Sequence, residues 1–198
     1  MKGFNRFRFL RVMSLLVLSV FLWTGCEKDS DDPRNPNRDG IIDHGFITTV
    51  ELVFTPQDDT LKSVSFLFSD PDGPGGLPPI RVDTITLSSG SVWNCSIKLW
   101  DESDPANPLD ITYQFRLQDQ DHIVCFDASA PLQSALQIER TDTDGTYEVG
   151  LESSWTTLEP SAGSVQVTIK HQVGLKDGTC IPGSTDVEVV FPVRINPF

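Results

Sequence analysis

Basic residues are scarce in this sequence. Its 198 residues include 15 lysines and arginines against 28 aspartates and glutamates. Four of the bases and none of the acids fall within the first 25 residues, so the rest of the chain carries a formal charge of −17. A surface of this sign repels phosphate backbones and anionic headgroups. The composition therefore argues against nucleic acid as a partner and leaves cations, cationic surfaces and neutral ligands open.

Recognisable catalytic motifs are also missing. The sequence has no G-x-S-x-G elbow, no H-E-x-x-H helix motif, no Walker loop and no dinucleotide fingerprint. A paired-carboxylate mechanism stays open, because 28 acidic residues offer many pairs that the sequence does not place in space. A small strand-rich domain without such motifs is more typical of a binding protein, and we predict no enzymatic activity.

Long apolar runs are absent after residue 25. The one before it extends over twelve residues, from Val12 to Trp23, follows four basic residues and is interrupted only by Ser14 and Ser19. A transmembrane helix needs about 20 apolar residues. The basic start and short apolar stretch predict that residues 1–25 are a secretory signal peptide.

A cysteine follows this stretch directly. Thr24, Gly25 and Cys26 resemble the lipobox of bacterial lipoproteins, although Trp23 stands where that family usually has leucine. The resemblance implies cleavage before Cys26 and acylation of its thiol, and several acyl chains would hold the protein firmly on a membrane. An ordinary secretory signal or a retained helix are the alternatives.

An acidic run comes next. "EKDSDD", residues 27–32, resembles the export signal that follows the lipidated cysteine in surface-exposed lipoproteins of the Bacteroidota. This resemblance implies an outer-membrane anchor with the domain facing the cell exterior, whereas a solvated spacer is the alternative. Residues 26–45 are rich in Asp, Asn, Pro and Arg, and we predict that they form a flexible acidic linker.

Residues 46–198 have a period of two almost throughout. The clearest apolar alternations are Val165, Val167, Ile169, His171 and Val173, and Val187, Val189, Phe191, Val193 and Ile195. Segments rich in Gly, Pro, Asp or Ser separate them at regular intervals. This pattern predicts an all-β domain, an antiparallel β-sandwich of about eight or nine strands. At most one short helix is expected, capped by Asp110 and ending near Gln118, although Thr112, Tyr113 and Phe115 fit a strand equally well.

The order of segments carries a further resemblance. "FITTVELVFTP", "VSFLFSDPDGPGG", "SIKLWDESDPANPLDIT", "VTIKHQ" and "TDVEVVFPVRI" resemble a group of Bacteroidota lipoproteins of unassigned function. Some of these are labelled type 1 periplasmic-binding-fold proteins, a fold whose long amphipathic helices conflict with the alternation seen here. Surface anchoring implies a ligand-binding or ligand-presenting module that serves an outer-membrane transporter in nutrient or metal uptake. A structural or adhesive domain that contacts a partner protein is the alternative.

Three cysteines remain if Cys26 is acylated. Cys95 shares a face with Trp93 and Ile97, which predicts a buried thiol. An oxidising compartment permits one internal disulfide among the three, and Cys125 with Cys180 is the favoured pair.

Two metal sites are conceivable from the sequence. "DPDGPGG" lacks the spacing of an EF-hand, but Asp70, Asp72 and Asp83 could form a looser calcium clamp. The alternative is a Pro-Gly turn whose aspartates bond the local backbone.

The second site involves histidines. His122 lies in "QDQDHIVC" beside Asp119 and Asp121, and His171 ends an alternating strand. If the two segments meet at one end of the sandwich, both histidines and one of these carboxylates could bind zinc or copper. Alternatively, His171 is a hydrogen-bonded strand end and His122 a surface group.

Overall fold

The computed structural model describes residues 46–198. The predictions for residues 1–25, Cys26 and the linker lie outside this range. In chain order the strands are β1 (Thr49–Pro56), β2 (Val64–Ser69), β3 (Arg81–Val82), β4 (Ile85–Ser88), β5 (Ser91–Asp101), β6 (Leu109–Asp110), β7 (His122–Ala128), β8 (Leu136–Arg140), β9 (Glu152–Thr157), β10 (Ser161–His171) and β11 (Ser184–Asn196). Helix α1 (Thr112–Leu117) and a 3-10 turn (Asp119–Asp121) lie between β6 and β7. No helix in the described range is long and apolar enough to span a membrane.

The strands form two sheets. The larger has the order β3-β2-β1-β5-β9-β8, with β6 paired to β5, and the smaller has the order β4-β11-β10-β7. All pairs are antiparallel except β4 with β11. Nine of the described strands have four or more residues, and β3 and β6 are two-residue ladders. The predicted all-β, mainly antiparallel sandwich is confirmed.

The core lies between the two sheets. Trp155 of β9 is fully buried and meets Phe54 of β1 edge to face at 5.0 Å and Phe126 of β7 at 5.7 Å. These contacts join both sheets through one aromatic group, and such pairs add to the free energy from apolar burial. The five apolar positions predicted to face inward along β11 are all buried, from Val187 to Ile195. Alternation therefore identified the core face of this strand correctly.

Helix α1 covers one end of the sandwich. The Asp110 carboxylate accepts a hydrogen bond from the Thr112 amide (2.9 Å), which starts the turn one position before the helix N-cap. The Thr112 hydroxyl accepts from the Leu99 amide of β5 (2.9 Å), and Phe115 is 1% exposed. The single short helix expected between Asp110 and Gln118 is thus present and packs a phenyl ring against the core.

Hydrogen bonds join the sheets on the side where β7 and β8 are edge strands. The Val124 amide donates to the Val149 carbonyl (2.7 Å), and the Val124 carbonyl accepts from Nε of Arg140 (2.6 Å). The same guanidinium contacts Glu148 and Sγ of Cys180 (both 3.2 Å). Arg140 therefore links β8 of the larger sheet to β7 of the smaller one and to a distant loop.

Candidate functional site

The two histidines in the described part of the chain, His122 and His171, are in direct contact. His171 closes β10, His122 opens β7, and the two residues are register partners. Directly opposed residues of an antiparallel pair place their side chains on the same face. The imidazole rings accordingly stack with centroids 4.7 Å apart and planes 6° from parallel. Phe115 of α1 packs on the other side of His122, at 4.5 Å, and only 2% of His122 is exposed.

Asp186 reaches this pair through a β-bulge in β11. Thr185 pairs with Lys170 and Val187 pairs with Ile169, so Asp186 is the extra residue between them. A bulge bends its strand and changes the direction of the side chains around it. The Asp186 carboxylate lies beside both rings: Oδ2 is 3.4 Å from Nε2 of His122, and Oδ1 is 3.8 Å from Nδ1 of His171.

We call His122, His171 and Asp186 the histidine cluster. One donor atom from each residue lies within 4.8 Å of the others, and no other three His, Cys, Asp or Glu side chains in residues 46–198 are grouped in this way. Nδ1 of His122 lies 2.9 Å from the Gln118 carbonyl oxygen, which can only accept a hydrogen bond. Nδ1 therefore carries the proton, and the neutral ring has its lone pair on Nε2.

The electrostatics of the cluster favour a positive charge between its members. The lone pair of His122 Nε2 and the Asp186 carboxylate are both acceptors, and they face each other at 3.4 Å. Oδ2 of Asp186 is buried, and no described group makes an aligned hydrogen bond to it. A cation bound between the two atoms would remove this conflict.

The loop over residues 172–183 is held tightly next to the cluster. Gln172 is fully buried, and its amide donates to the Thr179 and Pro182 carbonyls (both 2.9 Å). Its backbone amide donates to the Asp121 carbonyl (2.6 Å). One side chain therefore fixes the path of the loop, which brings β11 back to the histidines.

Two further links fasten the 172–183 loop to neighbouring segments. A disulfide joins Cys180 to Cys125 of β7, which is the pair that the sequence favoured. Nζ of Lys176 donates to the Asp144 carboxylate and to the Asp119 carbonyl, both at 2.7 Å. The Lys176 and Asp144 side chains are each only 4% exposed.

The carboxylate that lies beside the two histidines is not one of those predicted for the zinc or copper site. Asp119 and Asp121 lie in the 3-10 turn, where their backbone carbonyls accept from Lys176 and from the Gln172 amide, and neither side chain belongs to the cluster. Asp186 takes that place. No sequence pattern indicated it, because Asp186 and Glu188 alternate with inward valines in the manner of solvent-facing residues.

Two aspartates of the suggested calcium clamp, Asp70 and Asp72, contact each other, and Asp83 has other partners. Asp83 binds Arg81 (2.8 Å) and the Leu67 amide (2.9 Å), and the Arg81 hydrogen bond lowers the pKa of Asp83. Oδ2 of Asp72 accepts from the Leu77 amide (2.7 Å). Burial, followed by the charge of Asp72, raises the pKa of Asp70. Among the described residues, the three carboxylates do not lie together as one group.

Comparison with known proteins does not identify a family for this chain. No protein-family model matches the sequence, and no curated protein or solved structure is significantly similar to it. The resemblance to Bacteroidota lipoproteins therefore stays a prediction.

Substitution of Gly183 would show how closely the 172–183 loop packs against the cluster. Its φ is +83°, and a Cβ there would lie 2.0 Å from the His171 carbonyl oxygen. Gly174 in the same loop also has a positive φ (+64°), but no heavy atom lies within 4 Å of its Cβ position. We expect Gly174→Ala to lower the free energy of unfolding by about 1 kcal/mol from backbone strain alone. Gly183→Ala should lower it by clearly more in urea denaturation, and equal losses would contradict the close packing.

Proposed function

We propose that the protein is a lipid-anchored module of the outer cell surface that binds a ligand without catalysis, with the histidine cluster as its binding end. The observation that carries this proposal is the convergence of His122, His171 and Asp186 from three strands of one sheet. The cluster lies at an end of the sandwich, where loops and strand termini meet. Binding residues commonly lie on such loops and are positioned by a rigid scaffold.

The free thiol of the described residues does not support a catalytic role. The described residues contain one free cysteine, Cys95, and burial raises the pKa of its thiol far above the ordinary value. A protonated, inaccessible thiol is a poor nucleophile. The cluster itself is built from stacked rings at the ends of paired strands, an arrangement that suits the binding of a ligand.

The predicted anchor gives such a module a role at the membrane. A domain held on the outer surface by Cys26 would collect or present its ligand to a partner in the same membrane, such as an outer-membrane transporter. The net negative charge of the chain raises the local concentration of cations around the domain. Both features support a role in the uptake of a nutrient or metal.

The anchor is tested by Cys26→Ala. We expect this variant to release soluble protein, because it lacks the thiol that carries the acyl chains. Fractionation of cells at high salt measures the effect, and Cys95→Ala is the control that should leave the protein on the membrane. Continued membrane association of Cys26→Ala would refute the lipid anchor.

Deleting residues 28–32 tests whether the domain is exposed on the outside of the cell. We expect the deletion protein to remain in the membrane fraction but to lose its accessibility to protease added to intact cells. Replacing the same five residues with a Gly-Ser segment controls for linker length and should have the same effect. Unchanged digestion would show that the acidic run is only a spacer.

A structural or adhesive role is the second candidate. Leu77 and Ile80 are 75% and 74% exposed next to the short edge strand β3, which offers a partner protein an apolar contact. Under this alternative, serine at both positions abolishes cross-linking to the partner on cells. Under the first proposal the same variant keeps its ligand.

A further inference from the structure

We propose that the ligand of the histidine cluster is a late first-row divalent cation, Zn²⁺ or Cu²⁺, bound by Nε2 of His122, Nδ1 of His171 and the Asp186 carboxylate. This inference rests on the proposed binding function and identifies the ligand of the same site. It commits to Asp186, which no sequence pattern indicated.

The donor set selects the class of cation. Two imidazole nitrogens and one carboxylate suit zinc and copper, whereas calcium and magnesium prefer sites made of oxygen atoms alone. The cluster offers three protein ligands, which leaves at least one coordination position for water or a second ligand. Such an open site exchanges its cation more readily than a closed structural site.

Two of the separations between donor atoms are close to those of a zinc site. Zinc bonds of about 2.0–2.1 Å place neighbouring ligands of a tetrahedron about 3.4 Å apart. His122 Nε2 and Asp186 Oδ2 are 3.4 Å apart, and His171 Nδ1 and Asp186 Oδ1 are 3.8 Å apart. A contraction of a few tenths of an ångström on one side is all that these two edges require.

His122 is held in the orientation that a metal ligand needs. Its Nδ1 donates to the Gln118 carbonyl, and its ring is packed between Phe115 and His171. A hydrogen bond from the second ring nitrogen to a carbonyl fixes the tautomer and the orientation of metal-binding histidines. The partner at Nε2 is the buried Oδ2 of Asp186, which has no aligned hydrogen bond from the described residues. A cation between these two atoms would be bound by both.

His171 is the ligand that moves. A metal lies in the plane of each imidazole that binds it, and two stacked, parallel rings cannot both meet this condition at one cation. The His171 and Asp186 side chains are 21% and 15% exposed, whereas His122 is 2% exposed. The cation therefore enters from the His171 side, and rotation of that ring directs its lone pair at the metal.

Calorimetric titration of the full-length protein in mild detergent with Zn²⁺, and separately with Cu²⁺ in a weakly chelating buffer, tests the site. We expect one cation per chain with a dissociation constant below about 10 μM, a weak limit for a metal site of this kind. The electron paramagnetic resonance spectrum of the Cu²⁺ form should show coupling to two imidazole nitrogens.

The variants identify the ligands. Asp186→Asn and His171→Asn change partly exposed side chains, and each should weaken binding at least tenfold while circular dichroism shows a folded sandwich. In the His171→Asn protein, one imidazole nitrogen should disappear from the Cu²⁺ spectrum. Asp119→Asn and Asp121→Asn are matched controls that should keep the affinity of the parent protein.

Two results would overturn the inference: binding of neither cation below about 10 μM by the parent protein, or unchanged affinity in both Asp186→Asn and His171→Asn. Neither result would affect the fractionation of Cys26→Ala or the protease accessibility of the parent. Failure of the metal site is therefore distinguishable from failure of the proposed anchoring at the cell surface.

Discussion

Replacement of both Cys125 and Cys180 by alanine is expected to lower the free energy of unfolding by about 4 kcal/mol. The disulfide joins residues 55 positions apart, and a cross-link over a segment of this length removes about that much loop-closure entropy from the unfolded chain. Cys180 is exposed and Cys125 only partly buried, so the loss of packing adds little. Urea denaturation under non-oxidising, thiol-free conditions measures the difference.

Reduction of the parent protein provides the control for this prediction. Dithiothreitol should destabilise the parent protein by a similar amount and leave the double variant unchanged. Cys95 is buried and takes no part, so its thiol does not complicate the comparison. If reduction leaves the urea midpoint of the parent where it was, the cross-link contributes nothing to stability and the prediction is wrong.

Lys176→Met is expected to lower the free energy of unfolding by about 3 kcal/mol at pH 7. The substitution removes the ammonium group and leaves the Asp144 carboxylate buried without its counter-ion. Breaking a buried ion pair on one side costs about 3–5 kcal/mol. We take the lower end of that range because the pair lies just beneath the surface. Lys62→Met is the matched control: its partner Asp59 is as close (2.7 Å), but the pair is exposed, so little change is expected.

The Lys176 effect should depend on pH in a definite direction. Burial raises the pKa of Asp144, but the hydrogen bonds from Lys176, Tyr147 and Thr146 outweigh it and hold the pKa below its ordinary value of 3.8. A carboxyl whose folded-state pKa is lowered stabilises the fold fully above that ordinary value, and the contribution is lost as the pH falls through the folded-state value. The stability difference between the parent and Lys176→Met should therefore shrink on acidification below pH 3.8. A constant difference down to pH 2 would contradict this account.

The sequence predicted the sandwich well because burial and alternation are directly linked. Along β11 every second residue from Val187 to Ile195 faces the core, and a regular strand has no other way to bury them. The sequence was less decisive after Asp110: this aspartate can accept from a free backbone amide and start a helical turn, but the same segment fitted a strand equally well.

The alternation along β10 was misleading at its end. Val173 was expected to face inward but is 51% exposed, whereas the neighbouring Gln172 is fully buried. The register between β10 and β11 shifts between Ile169 and Lys170. After this point the alternation of inward and outward residues along β10 is no longer regular. Nothing in the local sequence marks this irregularity, since bulges depend on the pairing of two strands that lie far apart in the chain.

The residues of the candidate site could be predicted only in part. His122 and His171 could be nominated because each stands at a strand end, but their register required the three-dimensional pairing. Asp186 could not be nominated, because the bulge decides where its carboxylate lies. The loop contacts of Gln172 and Lys176 were also beyond reach, since they depend on the path of a loop with no periodic pattern.

The position of β1 within the larger sheet has a mechanical consequence. The chain enters the described domain next to β1, which lies between β2 and β5 and is hydrogen-bonded to both. These bonds run perpendicular to the strands. A pull on the preceding chain directed along β1 therefore loads the bonds of both ladders together in shear, instead of opening them one after another. A domain tethered through its N-terminus in flowing medium would resist unfolding with the full length of its central strand.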